Sequence, residues 1–363
     1  VHEYFHAIQY GYQKNHGSGS GSDAYFYEMT SMWIEDVIVP DGNDYLEDIW
    51  IGDLLNNPVG EFDNRWPQCT NCDGEGYELA LFGHYLSSYV DPLGSLDAKQ
   101  STIMKKIWEE YSDSYINSSN YDKPLVVINR VLQSEYQTSF IDVWTDFISR
   151  NLFNGLDENF YYYSDQALID PIRTSTILID DSVRLELELD DQSVEIASYR
   201  IDDTKSRFSV THYQDDFSGR VAIISSTNQE KNNFFWGIDT TIIEGYSDVE
   251  IHFIYGVDNS PITLPIDLVV STVPLPPTDL WAITAQDSII LFWNPSQGPG
   301  DNLNYIIYRN DVSLITTEYT NYVDKQSIEG DKKYTYNVTC INEIGESQAS
   351  NSLSIQSWPT ENN

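Results

Sequence analysis

Positively charged residues are scarce in this chain. Its 363 residues contain 19 lysines and arginines against 57 aspartates and glutamates, which gives a formal net charge of −38 at pH 7. A surface this acidic repels phosphate backbones and anionic lipid headgroups, so the composition argues against nucleic-acid and membrane-surface partners. The same charge keeps a protein soluble outside the cell and favours cationic substrates or divalent ions.

Cysteine and long apolar runs are scarce as well. Three cysteines, Cys69, Cys72 and Cys340, are too few for a small scaffold held together by disulfides. The sequence has no run of about 18 apolar residues, so we expect no membrane-spanning helix. The hydrophobic share of 40% and the aromatic share of 13% are those of a folded protein. The length suffices for two or three domains with cores of their own.

Three regions differ in their residue pattern. Residues 1–166 repeat apolar side chains at spacings of three and four, as in YELALFGHYLSSYV, which predicts a mainly helical region. Residues 167–273 contain short segments such as VRLELEL and VEIHFIYGV between Asp, Asn, Gly and Ser clusters, which predicts a β-sandwich. The proline-rich linker PLPPTDL opens the third region, residues 274–363, which has another β pattern. We therefore expect an α+β multidomain protein.

The third region contains SIILFWNP, YIIYRN and KYTYNVTCINEIGES, and it resembles a fibronectin type III domain over residues 276–357. Trp293 matches the buried strand tryptophan of that family, and Tyr334 matches its tyrosine corner. The inward-facing run is matched by Tyr336, Val338 and Cys340. The resemblance implies a spacer or adhesion module that contacts a cell surface or matrix and has no catalytic role. It also makes Cys340 a core residue rather than a reactive thiol.

The segment VHEYFHAIQYGY contains an HExxH motif. On a helix, His2 and His6 stand four residues apart and project from one face toward one point, with Glu3 one residue further round. Two imidazole ligands with a neighbouring carboxylate are what a catalytic zinc requires. A separate apolar stripe on the same helix is expected to face the core: Phe5, Ile8 and Tyr12.

The class of zinc site depends on the third protein ligand, because a catalytic zinc keeps its fourth position open. Metzincins continue the motif with a glycine and a third histidine. Gln9 and Tyr12 occupy those two positions here, so the sequence excludes that class.

Glu28 is the best candidate for the third ligand, ahead of His16 and Asp23. It lies in YFYEMTSMWIEDV, which is compatible with a helix and has Asp23 at the N-cap position. Ser31 and Glu35 lie on the same face of that helix. The alternative is that Glu28 is a solvated helix glutamate.

Several segments together resemble secreted bacterial metalloproteases of the gluzincin type over most of residues 1–270. They are HEYFHAIQYGY, YEMTSMWIEDVIVPDGNDYL, GYELALFGHYL and SFIDVWTDFISRNLFNG followed by YYYSDQALID. The resemblance implies that His2, His6 and Glu28 bind zinc and that Glu3 is the general base. It also implies secretion and a zincin-like fold for the helical region.

One position departs from that family. In thermolysin-like gluzincins, an acid four residues after the ligand glutamate orients a zinc-binding histidine, and here that position holds Met32. Glu35 and Asp36 are both candidates for the orienting carboxylate.

The implied activity is that of a secreted zinc-dependent endopeptidase, in which a zinc-bound water activated by Glu3 hydrolyses protein or peptide substrates. Tyr77 and His84 stand seven residues apart on one helical face and are candidates for stabilising the developing oxyanion, with ordinary packing as the alternative for each. A rival from another class is an extracellular adhesion or carbohydrate-binding protein with a non-catalytic zincin remnant. The intact Glu3 favours the enzyme.

The motif lies at the very start of the sequence, whereas zincins place a β-sheet before the HExxH helix. We therefore expect a signal peptide and the rest of a larger catalytic domain upstream of residue 1. We also expect the chain on its own to bind zinc weakly or to cleave poorly.

Other patterns are less specific. Cys69 and Cys72 form a CxxC that predicts a short-loop disulfide, with two free thiols or half of a zinc knuckle as alternatives. Calcium is an alternative metal at the acidic, glycine-containing segments 40–48 and 71–76. One aromatic set either lines a substrate cleft or packs in the core: Tyr25, Tyr27, Trp33, Trp50 and Trp66.

Overall fold

A computed structural model of the chain gives its architecture. The structure describes residues 1–12, 23–46, 54–55, 60–61, 76–95, 98–114, 121–178, 183–189, 193–201, 206–212, 218–225, 229–236, 240–244, 249–258, 262–296, 303–342 and 345–359.

The first 151 residues supply the α-helices of the described chain. They are α1 (His2–Tyr12), α2 (Ala24–Ile38), α3 (Ala80–Tyr85), α4 (Ile103–Ser114), α5 (Pro124–Val131) and α6 (Phe140–Asn151). Helix α3 continues as a π-helical turn over Leu86–Val90. Helix α6 begins where the Ser139 side chain accepts a hydrogen bond from the Asp142 amide at 3.2 Å, which is an N-cap. Among the described helices, none combines the length and the apolar character needed to cross a membrane.

The helices are held together by a large aromatic core. Phe82 of α3 meets Trp144 and Phe147 of α6 with ring centroids 5.1 and 5.3 Å apart. Phe26 of α2 stacks on Trp108 of α4 at 4.6 Å. These rings are almost fully buried, and burial of large aromatic surfaces dominates the stability of a core. The helical character predicted for this region is present.

Ten strands of the described chain form two sheets in the middle of the molecule. They are β1 (Gly60–Glu61), β2 (Thr176–Leu178), β3 (Val183–Leu189), β4 (Ser193–Ile201), β5 (Ser206–His212), β6 (Ser218–Ser225), β7 (Asn233–Trp236), β8 (Thr240–Glu244), β9 (Val249–Val257) and β10 (Ile262–Thr272). One sheet has the order β1-β4-β9-β6-β7, with β2 parallel to β4, and the other has the order β3-β10-β5-β8. Strand β4 was not predicted from the sequence pattern, although it pairs with β9 along its whole length.

Helix α6 packs directly against the first of these sheets. A Cβ on Gly256 of β9 would lie 2.2 Å from the Thr145 hydroxyl oxygen, so the close approach of helix and strand requires glycine there. Asp146 of α6 also reaches across and accepts from the Arg220 guanidinium of β6 at 3.3 Å. The helices and this sheet share one hydrophobic core. The predicted domain boundary after residue 166 stays a prediction.

The last strands form two further sheets. They are β11 (Thr278–Ala285), β12 (Ser288–Asn294), β13 (Asn304–Arg309), β14 (Val312–Thr317), β15 (Asn321–Asp324), β16 (Lys333–Ile341) and β17 (Leu353–Gln356). The sheet orders are β11-β12-β15 and β14-β13-β16-β17, a three-plus-four arrangement of antiparallel strands. This is the strand count and pairing of an immunoglobulin-like β-sandwich.

The residues that carried the fibronectin type III resemblance take the expected places in these sheets. Trp293 of β12 is buried, and Tyr336, Val338 and Cys340 of β16 are fully buried. The Tyr334 hydroxyl accepts from the Glu329 amide at 2.9 Å, which is the backbone contact that defines a tyrosine corner. The C-terminal region is therefore a fibronectin type III-like domain, and the multidomain α+β class is confirmed.

Candidate metal centre

Helices α1 and α2 meet with histidines on one side and a glutamate on the other. His2 and His6 lie one turn apart on α1, and both Nε2 atoms turn toward Glu28 of α2. The Glu28 Oε2 atom lies 3.0 Å from His2 Nε2 and 3.5 Å from His6 Nε2, and the two nitrogens are 3.1 Å apart. Of the residues that the structure describes, these form the one group of three metal-ligating side chains that converges.

The triangle of these three atoms has the size of a zinc ligand set. Zinc binds imidazole nitrogen and carboxylate oxygen at about 2.0–2.2 Å in a tetrahedron, which separates neighbouring ligand atoms by about 3.3 Å. The observed separations, from 3.0 to 3.5 Å, bracket that value. Two histidines and one glutamate form a known ligand set of catalytic zinc, and it leaves a fourth position open. The residues therefore fit zinc.

Gln9 fixes the orientation of His6. The Gln9 Nε2 group donates to the Tyr27 carbonyl at 2.9 Å, and a carbonyl can only accept, so the amide oxygen must face the other way. That oxygen lies 2.7 Å from His6 Nδ1, which therefore carries the proton. His6 Nε2 is left with its lone pair toward Glu28, the form a metal requires. The same Gln9 amide also donates to Thr30 and Ser31 of α2.

Glu35 occupies the corresponding place behind His2. Its Oε2 atom lies 3.9 Å from His2 Nδ1, a buried nitrogen without a hydrogen bond in the described part of the chain. The hydrogen bond with Glu28 raises the pKa of His2, against an opposing effect of burial. A proton therefore competes with a metal for this imidazole. Of the two acids considered for orienting a zinc-binding histidine, Glu35 is the one near His2, whereas Asp36 pairs with His84.

The two faces of α1 are placed differently from the prediction. The stripe of Phe5, Ile8 and Tyr12 was expected in the core. Tyr12 is half-buried and packs against the core, whereas Phe5 is only half-buried and Ile8 is 43% exposed. The fully buried residue of α1 is Gln9. A polar face can pack inward here because every polar atom of the Gln9 side chain has a hydrogen-bond partner.

Asp23 takes its predicted position before α2 but not the predicted role. Its side chain makes no hydrogen bond that caps the helix. Its carboxylate instead accepts from the Tyr111 hydroxyl at 2.9 Å and from the Lys123 ammonium at 3.1 Å. The two partners, from α4 and the start of α5, draw the carboxylate away from the helix terminus.

Glu3 and Tyr77 border the three ligands. Glu3 is exposed, and its charge contributes to the raised pKa of His2, so its carboxylate lies within electrostatic reach of the centre. The Tyr77 ring meets the His2 ring edge to face, with centroids 5.4 Å apart. Gly76, at φ +93°, makes this contact possible, because a Cβ there would lie 2.3 Å from the backbone oxygen of Tyr25 on α2.

His84 is not brought to the metal centre. It is buried in α3, where its Nε2 lies 3.1 Å from Asp36 Oδ2 and its ring stacks on Tyr163 at 4.6 Å. The chain over Tyr77–Leu79 is a 3₁₀ turn and becomes α-helical only at Ala80, so the two residues do not share one regular helical face. His84 is therefore not a candidate donor to the oxyanion.

The other predicted sites are only partly within the described structure. Tyr25, Tyr27 and Trp33 are buried in the core, and Trp33 also lines a small cavity beside α1. Cys340 is a free, buried thiol, as expected. Several predictions lie outside the described residues: His16, Trp50, Trp66, Cys69, Cys72 and all but the last residue of the segment 71–76. The same holds for the last two residues of the segment 40–48.

Comparisons with known proteins find fibronectin type III-like domains among the solved structures. No family model matches the chain, and no curated protein matches it. Among solved structures, a Fn3-like protein from Clostridium thermocellum is 26% identical over 25% of this chain and 98% of its own, with a TM-score of 0.21. The fibronectin type-III domain of human fibronectin type III domain containing protein 3 is 21% identical over 25% and 91%, with a TM-score of 0.23.

A further similar structure is the spore cortex lytic enzyme SleM of Clostridium perfringens. It is 17% identical over 31% of this chain and 35% of its own, with a TM-score of 0.21. At these TM-scores the likenesses carry no argument about activity. The assignment of the C-terminal domain to the fibronectin type III-like fold accordingly rests on its strand order and its tyrosine corner.

Proposed function

We propose that the protein is a secreted zinc-dependent endopeptidase of the gluzincin type. One observation carries the proposal: the ligand atoms of His2, His6 and Glu28 form a triangle of 3.0–3.5 Å sides. The convergence of three ligand-type side chains from two helices, with the Gln9 oxygen hydrogen-bonded behind His6, supports a metal centre over a simple pair of His2 with Glu28.

Each residue of the centre has a role in peptide hydrolysis. Bound zinc would supply Lewis acidity, which makes water a nucleophile near neutral pH and polarises a peptide carbonyl. Glu3 takes the proton of the attacking water and passes it to the leaving amine. Its exposure suits this role, because the carboxylate must meet both solvent and substrate. The Tyr77 hydroxyl is the candidate donor to the charge that develops on the peptide oxygen.

The test combines metal content with cleavage. The protein is loaded with zinc, dialysed and assayed for bound metal and for cleavage of casein and fluorogenic peptides. Glu28→Gln should lose zinc. Glu3→Gln should keep zinc and lose activity by about 10²- to 10⁴-fold. Glu109→Gln, at an exposed position of α4, is the matched control and should change neither.

The outcomes separate this proposal from its rival. Cleavage that survives Glu3→Gln would refute the mechanism, and absence of zinc from the wild-type protein would refute the site. Zinc bound without any cleavage would instead support an adhesion or carbohydrate-binding protein with a non-catalytic metal centre. In either case we propose that the fibronectin type III-like domain provides contact with a cell surface or matrix.

A further inference from the structure

The outer face of one sheet in the C-terminal domain is apolar. The residues of β12 that point inward, such as Leu291 and Trp293, are buried in the core of that domain. Five apolar side chains alternate with the inward positions of β11, β12 and β15 and form what we call the apolar face: Trp281, Ile283, Ile290, Phe292 and Val323. The solvent side of an antiparallel sheet is ordinarily polar, and a contiguous exposed apolar patch often marks a binding surface.

The strand register makes the apolar face contiguous. Trp281 lies opposite Phe292, and Ile290 lies opposite both Ile283 and Val323. The Trp281 and Phe292 rings stack with centroids 4.4 Å apart and an interplanar angle of 18°. Strand β11 is at the edge of its sheet and Trp281 is 51% exposed, so the ring face turned away from Phe292 is open to solvent. Ile283 and Val323 are 49% and 41% exposed.

Polar side chains border the aromatic end of the apolar face. Asn321 lies opposite Phe292, and Asn294 follows Phe292 by two residues on the same side of β12. Both asparagines are exposed. The Asn294 amide also donates to the Asp279 carboxylate at 2.7 Å. This rim places amide and carboxylate groups beside an exposed aromatic ring, whereas the rest of the face is aliphatic.

Area and charge argue against two kinds of occupant. Three strands about 4.8 Å apart and about 20 Å long give a face of about 300 Å². Two copies of the chain would then bury about 600 Å², well short of the roughly 1,200 Å² of a stable interface. Each copy also carries a net charge of −38, which repels a second copy and any anionic polymer. The five side chains of the face are uncharged, so an uncharged partner fits them.

We propose that the apolar face binds an uncharged, N-acetylated, β-1,4-linked polysaccharide of the chitin type. The flat side of a pyranose ring presents C–H groups, which pack on an aromatic ring such as that of Trp281. Each acetamido group adds a methyl group for the aliphatic residues of the face and an amide that can pair with Asn294 or Asn321. The proposal names the partner for the contact role proposed above for this domain, and it does not depend on the zinc centre.

The test is a depletion isotherm of the full chain on washed crystalline chitin, with EDTA present to remove any contribution of the metal centre. We expect saturable binding that is equal at about 0.05 and about 0.5 M NaCl, because the face and the polymer are both uncharged. Cellulose is the matched polymer without acetamido groups, and we expect it to bind about tenfold more weakly. Amylose, which is α-linked and coiled, should not bind.

Variants at exposed positions locate the binding. Trp281→Ala should weaken binding to chitin about tenfold or more, because it removes the stacking surface. Trp358→Ala, at an exposed tryptophan beyond β17, is its matched control and should bind like the wild type. Ile283→Gln should reduce the preference for chitin over cellulose, and Ile315→Gln, on β14 of the other sheet, should leave it unchanged. Thermal unfolding checks that all four variants remain folded.

Several results would overturn the proposal. They are no saturable binding to chitin, equal losses in Trp281→Ala and Trp358→Ala, and equal affinity for chitin and either of the other polymers. A dimer that forms in sedimentation velocity and is dissociated by Trp281→Ala, without binding to chitin, would assign the face to a second copy instead. Zinc content and peptide cleavage are measured separately, so a failure here is distinguishable from a failure of the proposed peptidase.

Discussion

The contact between Gln9 and His6 gives the sharpest prediction for the metal centre. Replacing Gln9 with leucine keeps a similar volume but removes the oxygen that holds the His6 Nδ1 proton at 2.7 Å. Only the Ser31 hydroxyl, 3.2 Å from Nδ1, then remains to orient the imidazole, which can rotate or carry its proton on Nε2, the atom that faces Glu28. Loss of a hydrogen-bond partner behind a metal-binding histidine typically lowers the affinity for the metal by about 10- to 100-fold. We therefore expect zinc binding to weaken by about 1.4–2.7 kcal/mol in Gln9→Leu.

The measurement is a zinc titration in competition with a fluorescent chelator, at fixed pH and buffer. Gln9→Glu accompanies Gln9→Leu, because it restores an acceptor for His6 Nδ1 while losing the N–H donors that the amide directs at three acceptors of α2. We expect Gln9→Glu to bind zinc more tightly than Gln9→Leu even if it is the less stable protein. Tyr10→Leu changes an exposed residue of the same helix and should bind zinc like the wild type.

Folding and metal affinity are separated by thermal unfolding with and without zinc. Zinc at about 100 times its Kd should raise the free energy of unfolding by about 2.7 kcal/mol in the wild type. The reasoning is refuted if a folded Gln9→Leu protein binds zinc within twofold of the wild type. It is also refuted if Gln9→Glu and Gln9→Leu lose affinity equally, since packing rather than orientation would then be responsible.

Three further predictions concern stability. Asp146→Ala removes the carboxylate that the buried Arg150 and Arg220 share. We therefore expect the free energy of unfolding, measured with urea, to decrease by about 3–5 kcal/mol, and a decrease below about 1 kcal/mol would contradict this. Burial lowers the pKa of His252 from 6.5 to about 4, so its neutral form adds stability above pH 6.5 that is lost as the pH falls toward 4. Between pH 7 and pH 5, the free energy of unfolding of the wild type should therefore fall by about 2 kcal/mol more than that of His252→Gln. Equal decreases in the two proteins would show that His252 is not the source of the pH dependence. Tyr334→Phe should destabilise the C-terminal domain by about 1 kcal/mol and speed hydrogen exchange in the loop before it, and unchanged exchange would argue against the tyrosine corner.

The fold was predictable where one local pattern decides the outcome. Period-two alternation with Trp293 and Tyr334 at their family positions predicted the C-terminal sheets. Strand β4 was not predictable, because SVEIASYRI places polar and apolar residues on both faces of the strand. Its central position in the sheet follows only from its pairing with β9. The contact of α6 with the first sheet was not predictable either, because it depends on Gly256 of β9 meeting Thr145 across more than a hundred residues of sequence.

The candidate site was likewise predictable only where local sequence spacing decides the geometry. The spacing of His2 and His6 is local, so a helix alone places both imidazoles on one face. The choice of Glu28 was an inference between helices. The structure brings its carboxylate within 3.0 and 3.5 Å of the two histidines, and its role as a zinc ligand stays a prediction. Gln9 was noticed only as the residue that excludes metzincins, because its role depends on three acceptors supplied by α2. His84 was assigned to the wrong neighbourhood, since sequence spacing could not show that Asp36 would hold it.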